Sequence, residues 1–221
     1  MQAVADARAV ELGGAFTTSG QVCFDIKRVY APRALVDQVA EGIAAQLDRA
    51  VVGNGLHPET TMGPLTTSRQ RDLVRDLVAD AERHGAKVQT RGELRADPER
   101  GWFLRPSVVT GTPEDHPLVQ TEQFGPALPV QPYDDVDEAV GLVNGTELGL
   151  TSSVWSADPQ RADRVARTID AGITFVNCHG LLAMETSVPF GGVKQSGVGR
   201  ELGLAGLHAF TEPHVVTTRH L

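Results

Sequence analysis

The sequence contains few cysteines, no long apolar run and no basic leader. Its two cysteines, Cys23 and Cys178, lie far apart along the chain. They provide neither the disulfide framework of a small secreted protein nor the closely spaced ligands of a common metal site. No apolar stretch reaches the length of a membrane span, and the N-terminus lacks both the basic start and the apolar core of a signal peptide. We therefore expect a cytoplasmic protein with no metal and no membrane partner.

Positive charge is also scarce. The chain has 20 Lys and Arg residues against 28 Asp and Glu residues, a net charge of −8, and its basic residues are scattered. Proteins that bind nucleic acid usually concentrate lysine and arginine on one surface, so we expect no nucleic-acid partner. The length of 221 residues and the apolar fraction of 41% are sufficient for the core of a globular domain.

Helical and extended segments alternate along most of the chain. Apolar residues recur at helical spacing in several stretches that are bounded by glycine or proline. Helices are predicted at residues 3–15, 32–51, 68–83, 135–144 and 159–170, and from about residue 200. Extended segments are predicted at residues 27–31, 87–89, 102–109, 126–133, 151–155 and 173–177. This alternation predicts an α/β fold with three layers, in which an open, mostly parallel sheet carries helices on both faces and ligands bind at the carboxyl ends of the strands.

A small polar loop, Thr17-Thr18-Ser19-Gly20-Gln21-Val22-Cys23, presents the first cysteine. A nucleophilic cysteine reacts as its thiolate, so it needs solvent access and neighbours that stabilise negative charge. Gly20 allows a close approach of the backbone, and Gln21 adds an uncharged hydrogen-bonding group. Cys23 is therefore a candidate nucleophile. The alternative is a small core residue, which is the commoner role of a free cysteine.

The segment from Pro189 to Gly203 is rich in glycine and predicts a loop whose backbone turns tightly or approaches another group. It does not match a nucleotide-binding loop. Leu202 stands where the third glycine of a dinucleotide fingerprint would be, and Lys194 is followed by Gln195 rather than by the Ser or Thr of a phosphate-binding loop.

Two further residues with reactive side chains, Cys178 and His179, follow the strand predicted at 173–177. At the end of a strand, both side chains could face a pocket. For Cys178 we favour a buried structural thiol. For His179 we favour a hydrogen bond to a loop carbonyl over a role as a pocket polar group.

Several motifs together resemble the NAD(P)-dependent aldehyde dehydrogenases over essentially the whole chain. They are Ser19-Gly20-Gln21-Val22-Cys23, Lys27-Arg28-Val29-Tyr30, Met62-Gly63-Pro64-Leu65, Glu122-Gln123-Phe124-Gly125-Pro126, Val176-Asn177 and the run from Pro189-Phe190-Gly191-Gly192 to Gly203. The sequences around His179 and Lys194 are most similar to those of bacterial members that accept medium-sized aliphatic or aromatic aldehydes.

The resemblance implies a covalent reaction with a small-molecule aldehyde. Cys23 would add to the aldehyde carbon, the resulting thiohemiacetal would pass hydride to NAD or NADP, and water would release the acid from a thioester. Glu122 would bind the nicotinamide ribose, Phe124 would lie against the nicotinamide ring, and Phe190 would form a wall of the aldehyde pocket. The alternatives are a solvated loop glutamate and two core phenylalanines.

The family also carries a large Rossmann-type coenzyme domain and a glutamate base, and neither matches a segment here. Glu11 lies too close to Cys23 to be that base. We expect residues 1–211 to be the catalytic domain and residues 212–221 a C-terminal oligomerisation strand. The chain would then act as a homo-oligomer or with a chain that supplies the coenzyme domain. Two alternatives are a weak thiol esterase and a non-catalytic fragment that associates with itself or with intact relatives.

Overall fold

The fold is taken from a computed structural model that describes residues 14–97 and 100–220. The helix predicted at residues 3–15 lies outside these residues except for its last two positions, and Glu11 lies outside them as well. Within the described ranges, no helix is long and apolar enough to cross a membrane.

The described helices are α1 (Val36–Leu47), α2 (Ser68–Arg83), α3 (Pro117–Gln120), α4 (Val136–Asn144), α5 (Pro159–Ala166) and α6 (Gly203–His208). The described strands are β1 (Val29–Pro32), β2 (Val51–Val52), β3 (Lys87–Thr90), β4 (Glu93–Leu94), β5 (Ser107–Thr110), β6 (Ala127–Tyr133), β7 (Leu148–Gly149), β8 (Thr151–Val154), β9 (Ile173–Val176) and β10 (Val193–Lys194). Short 3₁₀ turns occupy Thr17–Gly20, Arg33–Leu35 and Leu181–Ala183.

The main sheet has four strands in the order β1-β6-β5-β3. β6 runs parallel to both β1 and β5, with Val29 opposite Val130, whereas the edge strand β3 is antiparallel to β5. This confirms the open, mostly parallel α/β architecture. β8 and β9 form a separate parallel pair, so the strands do not all join in one sheet.

Helices cover both faces of the main sheet. Neighbouring residues of β5 point to opposite faces, so they pack in two different apolar clusters. Val108 packs in one apolar cluster with Ile43 and Leu47 of α1. Val109 packs in the other with Val74 of α2 and Leu118 of α3. All six side chains are nearly inaccessible to solvent. The burial of β5 on both faces therefore confirms the prediction of three layers.

Several predicted boundaries shift by a few residues. α2 occupies the predicted 68–83, with Thr67 accepting a hydrogen bond from the Gln70 N–H at its start. The helix predicted to reach residue 51 ends at Leu47, because Val51 and Val52 pair with β4 instead. The helix predicted to reach residue 170 ends at Ala166, and the helix expected from about residue 200 begins at Gly203.

The C-terminal residues 211–220 are exposed and form neither helix nor strand within this chain. The oligomerisation strand at 212–221 therefore stays a prediction.

Candidate active site

Cys23 follows a strained turn and is exposed to solvent. Thr18, Ser19 and Gly20 have φ values of 50°, 61° and 73°, in the left-handed region. This conformation costs on the order of 1–3 kcal/mol for a residue other than glycine, so tertiary contacts must hold it. One of them is the hydrogen bond from Ser19 Oγ to Gly63 O, at 2.8 Å. The exposed thiol excludes the alternative of a core cysteine.

At Gly20 the turn packs closely against the backbone of another loop. A Cβ atom at this position would lie 2.4 Å from Gly125 O, so only glycine fits against the loop between α3 and β6. The Gln21 amide oxygen accepts from the Thr66 N–H at 3.0 Å, which ties the turn to the segment before α2. Gly20 and Gln21 thus hold the turn that leads to Cys23 in place through contacts within the protein.

Three of the four predicted site residues share one cleft of about 110 Å³. Cys23 lines it together with Glu122 and Phe124, although the last two follow Cys23 by about a hundred residues. Phe190 is not among the described residues that line this cleft. Its backbone instead exchanges two 2.7 Å hydrogen bonds with Glu201. The structure brings together the predicted nucleophile and the predicted coenzyme-side residues. Phe190 does not line this cleft, so its role as a wall of the aldehyde pocket stays a prediction.

The cleft lies at the amino ends of two strands, not at the carboxyl ends that the sheet class predicted. Cys23 precedes β1, and Glu122 precedes β6, which is parallel to β1. The loops that enter two adjacent parallel strands meet at the same edge of the sheet. The candidate cleft thus differs from the expected edge because the loops that carry Cys23 and Glu122 enter the strands rather than leave them.

Two charged residues beside Cys23 were missed by sequence analysis. Asp25 is buried, with 7% of its surface exposed, and Lys27 lies two residues further on; both line the cleft. Asp25 Oδ2 accepts from the Val22 N–H at 3.2 Å, whereas its Oδ1 is buried without a hydrogen-bond partner among the described residues. Charged residues on both sides of Ile26, in an otherwise apolar entry to a strand, were the available signal.

Burial shifts the pKa values of the charged groups in the cleft, and the attraction between these groups partly opposes the shifts. Burial raises the pKa of Asp25 to about 6, although the Lys27 ammonium opposes this shift. Burial lowers the pKa of Lys27 to about 8 against the opposing attraction of Asp25 and Glu122. Desolvation also raises the pKa of Glu122. Titratable groups with such shifted pKa values are typical of functional clefts.

His179 holds the backbone immediately after Cys23. Its Nε2 lies 2.7 Å from Phe24 O and must carry the proton, because a carbonyl only accepts. Its ring meets Phe175 edge-on at 5.3 Å between centroids. The predicted bond from His179 to a loop carbonyl is therefore confirmed, and burial lowers its pKa. The prediction that Cys178 is buried is wrong, since this thiol is exposed.

A separate cluster joins Asp80, His84 and His116, whose potential ligand atoms lie within 4.8 Å of one another. His116 Nδ1 accepts from the Leu118 N–H at 3.1 Å, so its Nε2 carries the proton and donates to Asp80 Oδ2 at 3.2 Å. Both ring nitrogens are thus engaged, since Nδ1 caps the start of α3 and Nε2 connects it to α2, which indicates a structural role for this histidine.

Comparison with known proteins identifies the family to which the chain is similar. The model of the aldehyde dehydrogenase family matches residues 3–216. An aldehyde dehydrogenase from Paenarthrobacter nicotinovorans is 40% identical over 201 residues, which cover 90% of this chain and 43% of that protein. Betaine aldehyde dehydrogenase from Bacillus subtilis strain 168 is 37% identical over 204 residues, 91% of this chain and 41% of that protein.

Among solved structures, a Mycobacterium tuberculosis aldehyde dehydrogenase complexed with NAD+ superposes with a TM-score of 0.85 at 30% identity. The match covers 95% of this chain and 43% of that one. The chain thus spans less than half the length of the relatives it matches. Because the family model covers nearly all of its residues, the chain belongs to the aldehyde dehydrogenase family.

Proposed function

We propose that this chain provides the catalytic part of an NAD- or NADP-dependent oxidation of an aldehyde to a carboxylic acid, with Cys23 as the nucleophile. The observation that carries the proposal is the shared cleft. An exposed thiol, the carboxylate of Glu122 and the ring of Phe124 lie together within it. Family membership makes aldehyde oxidation the first reaction to test at such a cleft.

The first step is addition of the Cys23 thiolate to the aldehyde carbon, which leaves negative charge on the former carbonyl oxygen. The Cys23 N–H is not engaged by any acceptor in the described part of the chain, so it is available to donate to this oxyanion. After hydride leaves the carbon, a thioester remains on Cys23, and attack by water returns the thiol and releases the acid.

The coenzyme, when bound, supplies the hydride acceptor. Glu122 offers carboxylate oxygens to the two hydroxyls of a ribose, and Phe124 offers a partly buried apolar surface to a nicotinamide ring. This pair of an acceptor and an apolar ring fits a nicotinamide riboside. The rest of a dinucleotide would contact the coenzyme domain of the family, so we propose that another polypeptide segment completes the site.

The C-terminal tail supports association with another chain. Val215 and Val216 are 84% and 77% exposed, and Phe210 is 92% exposed. An exposed segment rich in β-forming residues can add to the edge of a neighbouring sheet. We propose that residues 212–221 form such a strand in a homo-oligomer or in a complex with a chain that carries the coenzyme domain.

The test is the absorbance of reduced coenzyme when the purified chain, alone or together with a polypeptide that carries the coenzyme domain of the family, is mixed with NAD or NADP and a panel of aliphatic and aromatic aldehydes. Turnover is expected to disappear in Cys23→Ala and to persist in Cys178→Ala, a matched control because both thiols are exposed. Full activity in Cys23→Ala would contradict the assignment of the nucleophile.

A second assay isolates the covalent step. An activated ester such as p-nitrophenyl acetate should acylate Cys23 without coenzyme and produce a burst of one equivalent per chain. A thiol esterase would then continue to turn over, whereas a dehydrogenase that lacks its base would stop at the acyl-enzyme. A folded chain with no burst would argue for a non-catalytic fragment.

A further inference from the structure

Two loops that are distant in sequence meet at a single ammonium group. Lys27 Nζ donates to Gly20 O at 2.6 Å and to Gly125 O at 3.0 Å. The first carbonyl belongs to the turn that leads to Cys23. The second belongs to the loop that carries Glu122 and Phe124, 98 positions from Lys27. One side chain therefore bonds to both halves of the candidate site.

The surroundings of Lys27 indicate why the hydrogen bonds matter. Among the residues that the structure describes, Lys27 forms no ion pair within 4.0 Å, so its direct bonds go to the two carbonyls. The charged groups around it are Asp25 and Glu122, which attract it, and Arg28, which lines the same cleft. A partly buried ammonium loses hydration, and hydrogen bonds from a charged donor to carbonyls compensate for that loss.

We propose that Lys27 is a positioning residue that couples the Cys23 turn to the Glu122–Phe124 loop and so fixes the distance between the nucleophile and the coenzyme-side residues. The catalytic meaning of this coupling rests on the proposed function, whereas the coupling itself does not. An ammonium suits this role because it carries three donors and no acceptor. A methionine of similar length fills the space and forms neither bond.

Hydrogen exchange with mass spectrometry tests the coupling directly, without any requirement for turnover. In Lys27→Met, peptides that cover residues 17–24 and 122–126 should both exchange at least about tenfold faster, the factor expected from loss of one hydrogen bond with a charged donor. Peptides from α1 should be unchanged. Lys27→Arg, which keeps a charged donor, should retain most of the protection, and Lys87→Met, a lysine exposed on β3, should match the wild type.

The proposal is overturned if only one of the two segments responds, if neither does, or if exchange rises equally across the whole chain. If Lys27→Met does not fold, the wild-type chain decides the matter as pH is raised from 7 to 9. Burial lowers the pKa of Lys27 to about 8, and a neutral amine forms weaker hydrogen bonds than an ammonium. Exchange corrected for intrinsic rates should therefore rise together in both segments, and this rise should be absent in Lys27→Arg.

The outcome is distinguishable from failure of the proposed function. A chain with no dehydrogenase activity can still show coupled exchange in the two loops. Conversely, aldehyde oxidation that depends on Cys23, together with uncoupled loops in Lys27→Met, would retain the proposed function and reject the role of Lys27.

Discussion

Asp25 should weaken the folded state as pH rises from 4 to 7, and Asp25→Asn should remove this effect. Asp25 is buried beside the nucleophile, with one carboxylate oxygen bonded to the Val22 N–H and the other without a partner among the described residues. Asparagine has nearly the same shape, and its amide oxygen can accept the same N–H. The substitution therefore removes the charge and leaves the turn intact.

The expected magnitude follows from the pKa difference between the folded and unfolded states. Burial raises the pKa of Asp25 from 3.8 to about 6. Because the folded pKa is the higher one, the stabilising contribution is present at low pH and is lost as pH rises through the folded value. At about 1.4 kcal/mol for each unit of pKa difference, the free energy of unfolding of the wild type should fall by roughly 2 kcal/mol relative to Asp25→Asn between pH 4 and pH 7.

The assay is urea denaturation of both proteins at pH 4, 5, 6 and 7. Asp134→Asn is a control that should show little pH dependence relative to the wild type over this range, since Arg33 donates to Asp134 at 2.6 and 2.8 Å and lowers its pKa from 3.8. The stabilisation from Asp134 is present above its unfolded pKa and is lost only as pH falls through the lower folded pKa, outside the assayed range. A constant difference in stability between wild type and Asp25→Asn across this range would refute the argument that the Asp25 carboxyl is desolvated.

Two further predictions concern the backbone around Cys23. Gly20→Ala should destabilise the chain by about 1–3 kcal/mol in urea denaturation, because its Cβ would lie 2.4 Å from Gly125 O at a φ of +73°. Gly55→Ala, with no atom within 4 Å of the added carbon, should have little effect, and equal losses in both variants would contradict the close approach. His179→Gln should lose less stability than the wild type when the pH falls from 7.5 to 5.5, as measured by Tm, because burial lowers the pKa of His179 and the unfolded state therefore binds the extra proton. An equal fall of Tm in His179→Gln and the wild type would indicate that His179 is protonated in the folded state.

The secondary structure was largely predictable because it depends on local periodicity. Apolar residues three and four positions apart define one face of a helix, so α2 was predicted at its observed bounds. Cys23 was also identifiable as a nucleophile candidate, since a Gly-Gln pair before a cysteine is a local feature. Local patterns gave the wrong secondary structure where a segment was compatible with both helix and strand. Residues 48–52 continue the apolar spacing of α1, but Val51 and Val52 pair with β4.

The contents of the candidate site depended on contacts that no local pattern encodes. The sequence by itself determined the element types, the predominance of parallel strands, the family resemblance and the candidacy of Cys23, Glu122 and Phe124. Only the tertiary structure decided that these three residues share a cleft, that Phe190 does not line it, and that Lys27 bonds to Gly125 O. The physical reason is distance along the chain. Periodicity reports which face of an element is buried, whereas the partner of a buried charge is chosen by the packing of loops about a hundred residues apart.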